Sequence, residues 1–164
     1  MGLSLVLALV VAGCGGDDAL PKDEYIAQAN AICENTRADL EASFAESAAD
    51  LSADFTPEEL ADVLLGGFLD QYIAAIEEQL VDLRALAAPE GDEILLASFY
   101  DEVEAVLGAI EQLADDAAAG EPSAIEQLTA REDPGHSGLP AVSAAFDDVD
   151  KRGIEYGLTV CGES

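Results

Sequence analysis

Apolar residues recur every three or four positions through most of this chain, which is the spacing of one face of an α-helix. Five segments carry the pattern: about residues 22–51, 56–86, the stretch after Gly91 to about 119, 123–131 and 139–156. The alternation with a period of two that half-buried strands show is not present. The sequence therefore predicts an all-α fold, an antiparallel bundle of four main helices plus one short helix.

The predicted helix boundaries follow from local signals. Thr56-Pro57-Glu58-Glu59 has the form of a capping box, with Thr56 as the N-cap and Glu59 reaching back to it. Gly66-Gly67 predicts a bend or a close helix crossing in the second helix, with a ligand hinge as the alternative. Gly157 is a suitable C-cap for the last helix, and we expect an extended tail from 159 to 164.

The helical spacing also assigns an inward face to each helix. In the first helix Cys33 lies on this face. For the third and the last helix the residues expected to point inward are Leu95, Phe99, Val103, Val106, Ile110 and Leu113, and then Val142, Phe146, Val149 and Ile154.

The first residues form an apolar run from Leu3, broken only by Ser4, that closes in Val11-Ala12-Gly13-Cys14. An apolar stretch of this length followed by small residues is typical of a secretory signal peptide. The run is too short to cross a bilayer, which takes about 20 residues. The basic start of such a signal is missing, because no Lys or Arg precedes Cys14. We attribute this to a start codon placed too late.

Val11-Ala12-Gly13-Cys14 resembles the cleavage box of bacterial lipoprotein precursors at all four positions. The resemblance implies that residues 1–13 are removed, and that Cys14 becomes the N-terminal residue with a diacylglycerol on its sulfur. Two acyl chains anchor a protein stably in a membrane. Residues 14–20 would then form a lipidated tether, and residues 21–164 the helical domain, at the extracytoplasmic face of the cell membrane. The alternative is an uncleaved or ordinary signal with an incidental cysteine.

Acidic residues dominate the charge of the chain. Six Lys and Arg stand against 35 Asp and Glu, for a formal net charge of −29. This excludes a nucleic-acid partner, because phosphate contacts require a basic face. It also argues against electrostatic adhesion to anionic lipid, so the lipid on Cys14 would have to provide the membrane anchor.

The three cysteines are an odd number, which is unusual for an exported protein. With Cys14 assigned to the lipid, Cys33 and Cys161 remain. In an oxidising compartment we expect these two to form a disulfide that ties the C-terminal tail to the first helix. Two buried free thiols are the alternative.

A second resemblance covers the helical domain, to small secreted lipoproteins of high-GC Gram-positive bacteria. It rests on three stretches: residues 25–33 (YIAQANAIC), 89–93 (PEGDE) and 156–162 (YGLTVCG). These short motifs are structural. The resemblance implies the location, the helical fold and the cysteine pair, and it implies no substrate.

Residues that could perform catalysis or bind a metal are few. His136 is the single histidine and lies in a Gly/Pro loop, where a solvated side chain is the plain interpretation. One histidine and two paired cysteines do not supply a zinc site. The acidic clusters at 77–78, 101–104, 115–116 and 147–150 are interpreted as solvated helix faces, with weak cation binding as the alternative. Four tyrosines (25, 72, 100 and 156) are interpreted as half-buried packing residues.

We therefore expect a non-enzymatic lipoprotein, a binding or interaction module whose protein or small-molecule ligand the sequence does not name. No catalytic residue, metal or cofactor is assigned apart from the covalent lipid on Cys14. The alternative is a cation- or solute-binding accessory protein of a transporter. A small hydrolase with paired carboxylates is a third hypothesis, but it would require a cleft that a plain bundle does not offer.

Overall fold

A computed structural model describes residues 19–49, 51, 55–129 and 140–162. These residues form only helices, turns and loops, which confirms the predicted all-α fold. The helices are α1 (Lys22–Ser47), α2 (Pro57–Val63), α3 (Leu69–Ala85), α4 (Glu93–Ala118), α5 (Pro122–Thr129) and α6 (Pro140–Tyr156). A π-helical turn, Leu64–Phe68, joins α2 to α3, so that these three segments together form the second predicted helix.

Helix α1 runs antiparallel to α3, as contacts at both of their ends show. Near the end of α1 the ring of Phe44 packs edge-on against Phe68, with 5.1 Å between the centroids. Just before α1, the backbone N–H of Leu20 donates to the carbonyl of Ala87 beyond the end of α3, at 3.4 Å. The beginning of one helix therefore lies beside the end of the other.

Helices α4 and α6 are antiparallel in the same way. Tyr156, the last residue of α6, donates a hydrogen bond to Asp92, the residue just before α4. About two turns into α4 and one turn back along α6, Phe99 packs on Gly153, where an added Cβ would lie 3.4 Å from the ring. Arg152 forms an ion pair with Glu102 beyond this contact. The antiparallel bundle that the sequence predicts is thus present.

The core is mainly aliphatic, with a few aromatic side chains, and each described helix contributes to it. The largest fully buried side chains are Tyr25, Leu64, Leu69, Leu83, Leu128 and Leu158. The short helix α5 closes one side of this core by packing against α2, α4 and α6. Among the described residues, none of the helices is both long and apolar enough to cross a membrane.

The capping box at the start of α2 is confirmed. The backbone N–H of Glu59 donates to Thr56 Oγ1 at 3.2 Å, and the backbone N–H of Thr56 donates to Glu59 Oε2 at 2.7 Å. The bend predicted at Gly66-Gly67 is also confirmed, as the π-helical turn, in which Gly67 has φ +119°. Residues with a side chain rarely adopt this backbone conformation. Glycine at this position therefore allows the wider π-helical turn, which holds one residue more than an α-helical turn.

Two residues predicted to point inward lie on the surface. Leu95 is 53% exposed and Ile154 is 45% exposed. In α4 Val103 and Ile110 are buried as predicted, and the rest of the buried stripe consists of Leu96, Tyr100, Leu107 and Ala117. Phe99, Val106 and Leu113 flank this stripe as partly buried residues. In α6 the residue that faces α4 is the buried Gly153 and not Ile154. The ring of Phe99 packs directly on Gly153.

The ends of α1 and of the chain also differ from the prediction. Helix α1 ends at Ser47 rather than near residue 51, because the N–H groups of Ala49 and Leu51 donate three residues back, to the carbonyls of Glu46 and Ala48, and no longer four residues back as in an α-helix. In its described part, the tail after α6 is not extended. Residues 159–162 form a turn in which the N–H of Gly162 donates to the carbonyl of Leu158 at 3.1 Å.

Helix α6 ends as the sequence predicts. Gly157 has φ +113°, and its N–H donates to the carbonyl of Ile154 at 3.0 Å. The N–H of Leu158 donates to the carbonyl of Gly153 at 2.8 Å, which completes a Schellman motif. Leu158 is then buried in the core. This turn directs the tail along α1 toward Cys33.

The predicted disulfide is present. Cys33 and Cys161 are joined by an S–S bond of 2.10 Å, with 5.1 Å between their Cα atoms and 128 positions between them in sequence. It ties α1 to the C-terminal tail.

Candidate functional site: the entry end of the bundle

Polar side chains gather where the described chain enters the bundle. We call this region the entry end, defined as residues 19–22, the turn at residues 86–92, and Tyr156. The turn forms because Gly91 adopts φ +87° and the N–H of Asp92 donates back to the carbonyl of Pro89 at 3.0 Å. This geometry places Asp92 beside the start of α1 and the end of α6.

Asp92 is the centre of the entry end. Its Oδ2 atom accepts a hydrogen bond from Tyr156 Oη at 2.7 Å and forms an ion pair with Lys22 Nζ at 3.2 Å. The hydrogen bond from Tyr156, and after it the contacts with Lys22, hold the pKa of Asp92 below its ordinary value. Asp92 is therefore a carboxylate at neutral pH and joins three separate parts of the chain.

Lys22 has a second partner at this end. Its Nζ atom lies 3.8 Å from the centroid of the Tyr156 ring, which is a cation–π contact. Burial, and after it the hydrogen bond to Asp92, raises the pKa of Tyr156 above its ordinary value. The phenol therefore stays protonated and keeps donating to the carboxylate.

A pair of buried tyrosines lies behind this cluster. The hydroxyl groups of Tyr25 and Tyr100 are hydrogen-bonded to each other. Tyr25 also packs edge-on against Tyr156, with 6.3 Å between the ring centroids. Burial raises the pKa of both Tyr25 and Tyr100. These two side chains are more deeply buried than the half-buried positions that the sequence suggests, whereas Tyr72 and Tyr156 are partly buried as expected.

The outer edge of the tyrosine pair carries one arginine. The guanidinium carbon of Arg84 lies 5.6 Å from the centroid of the Tyr100 ring. The same group forms ion pairs with Asp101 at 3.0 Å and with Glu104 at 2.9 Å. These are exposed pairs, for which a typical contribution to stability is below about 1 kcal/mol. Two residues of the acidic cluster at 101–104, Asp101 and Glu104, are therefore ion-pair partners of Arg84.

A surface cavity of about 510 Å³ opens at the entry end. It is lined by residues 19–22 together with Pro89, Glu90 and Asp92. Its volume is in the range of small-molecule sites. The groups available to a ligand are the ammonium of Lys22 and the carboxylates of Glu90 and Asp92, so the cavity offers charged contacts of both signs.

The protonation states of the entry end suit binding and cohesion. The tyrosines hold their protons, so they can donate hydrogen bonds but cannot act as bases near neutral pH. Asp92 is ionised and already accepts from Tyr156 and Lys22. These contacts hold the start of α1 against the start of α4 and the end of α6.

A second polar contact holds the C-terminal tail beside α1. The side-chain amide of Asn30 donates to the carbonyl of Gly157 at 3.1 Å and accepts from the N–H of Val160 at 3.0 Å. Asn30 thus binds the tail on both sides of Leu158. At the neighbouring residue of α1, the Cys161 sulfur lies 3.8 Å from the carbonyl oxygen of Ala29.

The other residues that the sequence singles out are dispersed. Cys14 and His136 lie outside the described residues. The side chains of Glu77, Glu78, Asp115 and Asp116 are exposed on helix faces, and Asp116 accepts a hydrogen bond from Gln112 at 2.9 Å. Within the described part of the chain, no group of three or more His, Cys, Asp or Glu side chains is placed to hold a metal ion.

Lys22, Asp92 and Asn30 are not among the candidate functional residues that the sequence singles out, although Asn30 and Asp92 lie within the stretches 25–33 and 89–93. Asp92 carries a local signal, since it follows Pro89-Glu90-Gly91 at the point where a helix begins. Asn30 carries a weaker one, as a polar residue one turn before Cys33. Lys22 and Tyr156 carry none, because their contact joins residues 134 positions apart in the printed sequence.

Comparison of the chain with protein-family models, with curated proteins and with solved structures finds no match. The functional assignment therefore depends on the residues and the geometry of this chain itself.

Proposed function

We propose that this chain is an extracytoplasmic lipoprotein, held at the outer face of the cell membrane by a diacylglycerol on Cys14. Its helical domain would act as a non-enzymatic binding or interaction module. The observation that carries the proposal is the disulfide between Cys33 and Cys161. Because two of the three cysteines pair with each other, Cys14 is left as the third, at the end of the apolar run where a lipid would be attached.

The cysteine pair also supports the compartment. Structural disulfides persist in oxidising, extracytoplasmic environments and are rare in the reducing cytosol. The pair lies within the motifs that resemble small secreted lipoproteins, at residues 25–33 and 156–162. Compartment and lipid anchor are thus supported by different cysteines of the same chain.

The polar groups of the helical domain support a non-enzymatic binding module, because they are bonded to one another. At the entry end the tyrosines, Asp92 and Lys22 are engaged with one another, as is expected of groups that give a fold its rigidity. The remaining surface is strongly acidic, with a net charge of −29 for the whole chain. Such a surface favours basic partners and resists association with anionic ones.

The proposal is tested by membrane partition in a bacterial host that lipidates exported proteins. The unmodified chain should sediment with membranes, and its N-terminal peptide should carry the mass of a diacylglycerol. The Cys14→Ala variant should appear in the soluble fraction. As a matched control, the double variant Cys33→Ala/Cys161→Ala should remain with membranes, since it changes cysteines without touching the lipid. A Cys14→Ala variant that stays quantitatively membrane-bound would contradict the proposal.

A second candidate function is supported by the cavity at the entry end. Its carboxylates, Glu90 and Asp92, suit a small cationic solute, which is the role of an accessory protein of a transporter. Calorimetry of the soluble domain with calcium and with spermidine tests this candidate. Heat of binding that is lost in Glu90→Gln but kept in Glu78→Gln, an exposed carboxylate outside the cavity, would support it. No heat at millimolar ligand would remove it.

A further inference from the structure

Exposed apolar side chains are concentrated at one end of the bundle. Ile94 is 86% exposed and Leu95 is 53% exposed, and both belong to the first turn of α4, directly after Asp92. Ile154, at 45% exposed, lies in the last turn of α6, two residues before Tyr156. Three of the four large hydrophobic residues that are strongly exposed in the described chain are therefore next to the entry end. The fourth is Val81.

The covalent chain fixes how far this end can be from Cys14. Four residues lie between Cys14 and Ala19, the first described residue, and the five residue-to-residue steps of a fully extended chain span about 17 Å. Helix α4, with 26 residues, is about 39 Å long by comparison. If Cys14 is acylated, the entry end must stay within a short distance of the lipid headgroups, whereas the far end of α4 is under no such constraint.

We propose that the entry end rests on the lipid surface, with Ile94 and Leu95 inserted in the interfacial region of the bilayer. The inference depends on the proposed lipidation of Cys14 and adds an orientation to it. Two aliphatic side chains would bind membranes weakly by themselves. The tether makes their contact intramolecular, so that a weak apolar contact is sufficient to orient a domain that is already anchored.

Charge selects the kind of lipid. Glu90 and Glu93 are exposed beside Ile94, with Lys22 as the nearby cation. These carboxylates are repelled by anionic headgroups and tolerated by zwitterionic ones. The entry end should therefore be seated most firmly on phosphatidylcholine, and less firmly as anionic lipid is added.

The absence of tryptophan from the sequence provides a clean probe of this contact. The full-length lipidated protein is prepared as two single-tryptophan variants, Ile94→Trp and Ala118→Trp, and reconstituted in phosphatidylcholine vesicles that contain acyl-chain-brominated lipid. Both positions are exposed in the same helix, and Ala118 lies about 36 Å further along it. We expect blue-shifted, bromine-quenched emission from Ile94→Trp, and unquenched, solvent-like emission from Ala118→Trp.

The outcomes separate this inference from the proposed function. Flotation of the vesicles reports anchoring: protein that does not float contradicts the lipid anchor itself. Protein that floats while Ile94→Trp remains unquenched overturns the orientation and leaves the anchor standing. Blue-shifted but unquenched emission from Ile94→Trp indicates that another protein, or a second copy, covers the surface, and it also overturns the inference. Equal quenching at both positions would show a domain lying flat, against the proposal.

Discussion

Replacing Cys33 and Cys161 by alanine should lower the free energy of unfolding by about 5 kcal/mol. The bond closes a loop across 128 positions, and restricting an unfolded chain over that length corresponds to about 5 kcal/mol in the chain-entropy description. Domains have about 5–15 kcal/mol in total, so this is a large share. At about 2–4 °C per kcal/mol for a domain of this size, the Tm should fall by about 15 °C.

The native fold should nevertheless survive the loss of the bond. The tail is also held by both hydrogen bonds of the Asn30 amide and by the buried side chain of Leu158. We therefore expect the double variant to keep its helical far-UV circular dichroism at room temperature. The lost stability comes from the unfolded chain, which becomes free to expand. The dependence on urea, the m-value, should rise because more surface is exposed on unfolding.

Urea unfolding followed by far-UV circular dichroism measures this on a soluble form that begins at residue 15. The unmodified soluble form with a reducing agent is the matched control, because it breaks the same bond and leaves the packing of both side chains in place. If the oxidised and reduced forms differ by less than about 1 kcal/mol, the loop-closure explanation is refuted. A double variant that is unfolded without urea would refute the independent docking of the tail.

Three further predictions concern the helix ends and the tyrosines. Gly157→Ala should cost about 1–3 kcal/mol, because φ is +113° and the new Cβ would lie 2.8 Å from the Ile26 Cδ1 atom. Gly108→Ala, in open space within α4, should instead stabilise by up to about 1 kcal/mol, and urea midpoints compare the two. Thr56→Ala should cost about 1 kcal/mol through loss of the capping box, measured in the same way. Burial raises the folded-state pKa of Tyr100 above its ordinary value of 10.0, so its contribution to stability is present below pH 10 and lost as the pH rises. Absorbance at the tyrosinate wavelength should therefore rise together with alkaline unfolding, and Tyr100→Phe should flatten that part of the pH–stability curve.

The start of α2 and the end of α6 could be predicted from the sequence because their signals are local, whereas the end of α1 carries no such signal and was placed too late. The capping box at Thr56 and the Schellman turn at Gly157 each depend on residues within one turn of the boundary. The bend at Gly66-Gly67 could be predicted for the same reason, although its form as a π-helical turn could not. The disulfide was predictable by a different route, since the resemblance at Cys14 left two cysteines to pair.

The inward face of α4 could not be predicted at its beginning. Ile94, Leu95 and Leu96 are three aliphatic residues in a row, and helical spacing alone does not decide which of them is buried. The choice of Leu96 is made by the neighbouring helices. The burial of Gly153 could not be predicted either, because a residue without a side chain gives no hydrophobic signal. In the structure Phe99 nevertheless packs on it.

The entry end was the least predictable part of the molecule, for a related reason. Its bonds join Lys22 to Asp92 and Asp92 to Tyr156, across separations that no local pattern records. What the sequence does contain is the set of residue types that such a cluster requires. Their assembly becomes visible only when the antiparallel order of α1, α3, α4 and α6 brings three chain segments to one place.

Helix α1 explains why both ends of the domain meet. Its inward face near the entry end consists of Tyr25, Ala29 and Cys33, all buried. The small residues at 29 and 33 leave room for the C-terminal tail, which larger side chains would fill. A small side chain buries less apolar area and so stabilises the fold less. The disulfide and the Asn30 bonds offset this loss at the same position, and they couple the tail to α1. In the proposed lipoprotein, a pull on Cys14 would thus reach the first helix, the start of α4 and the end of α6 together.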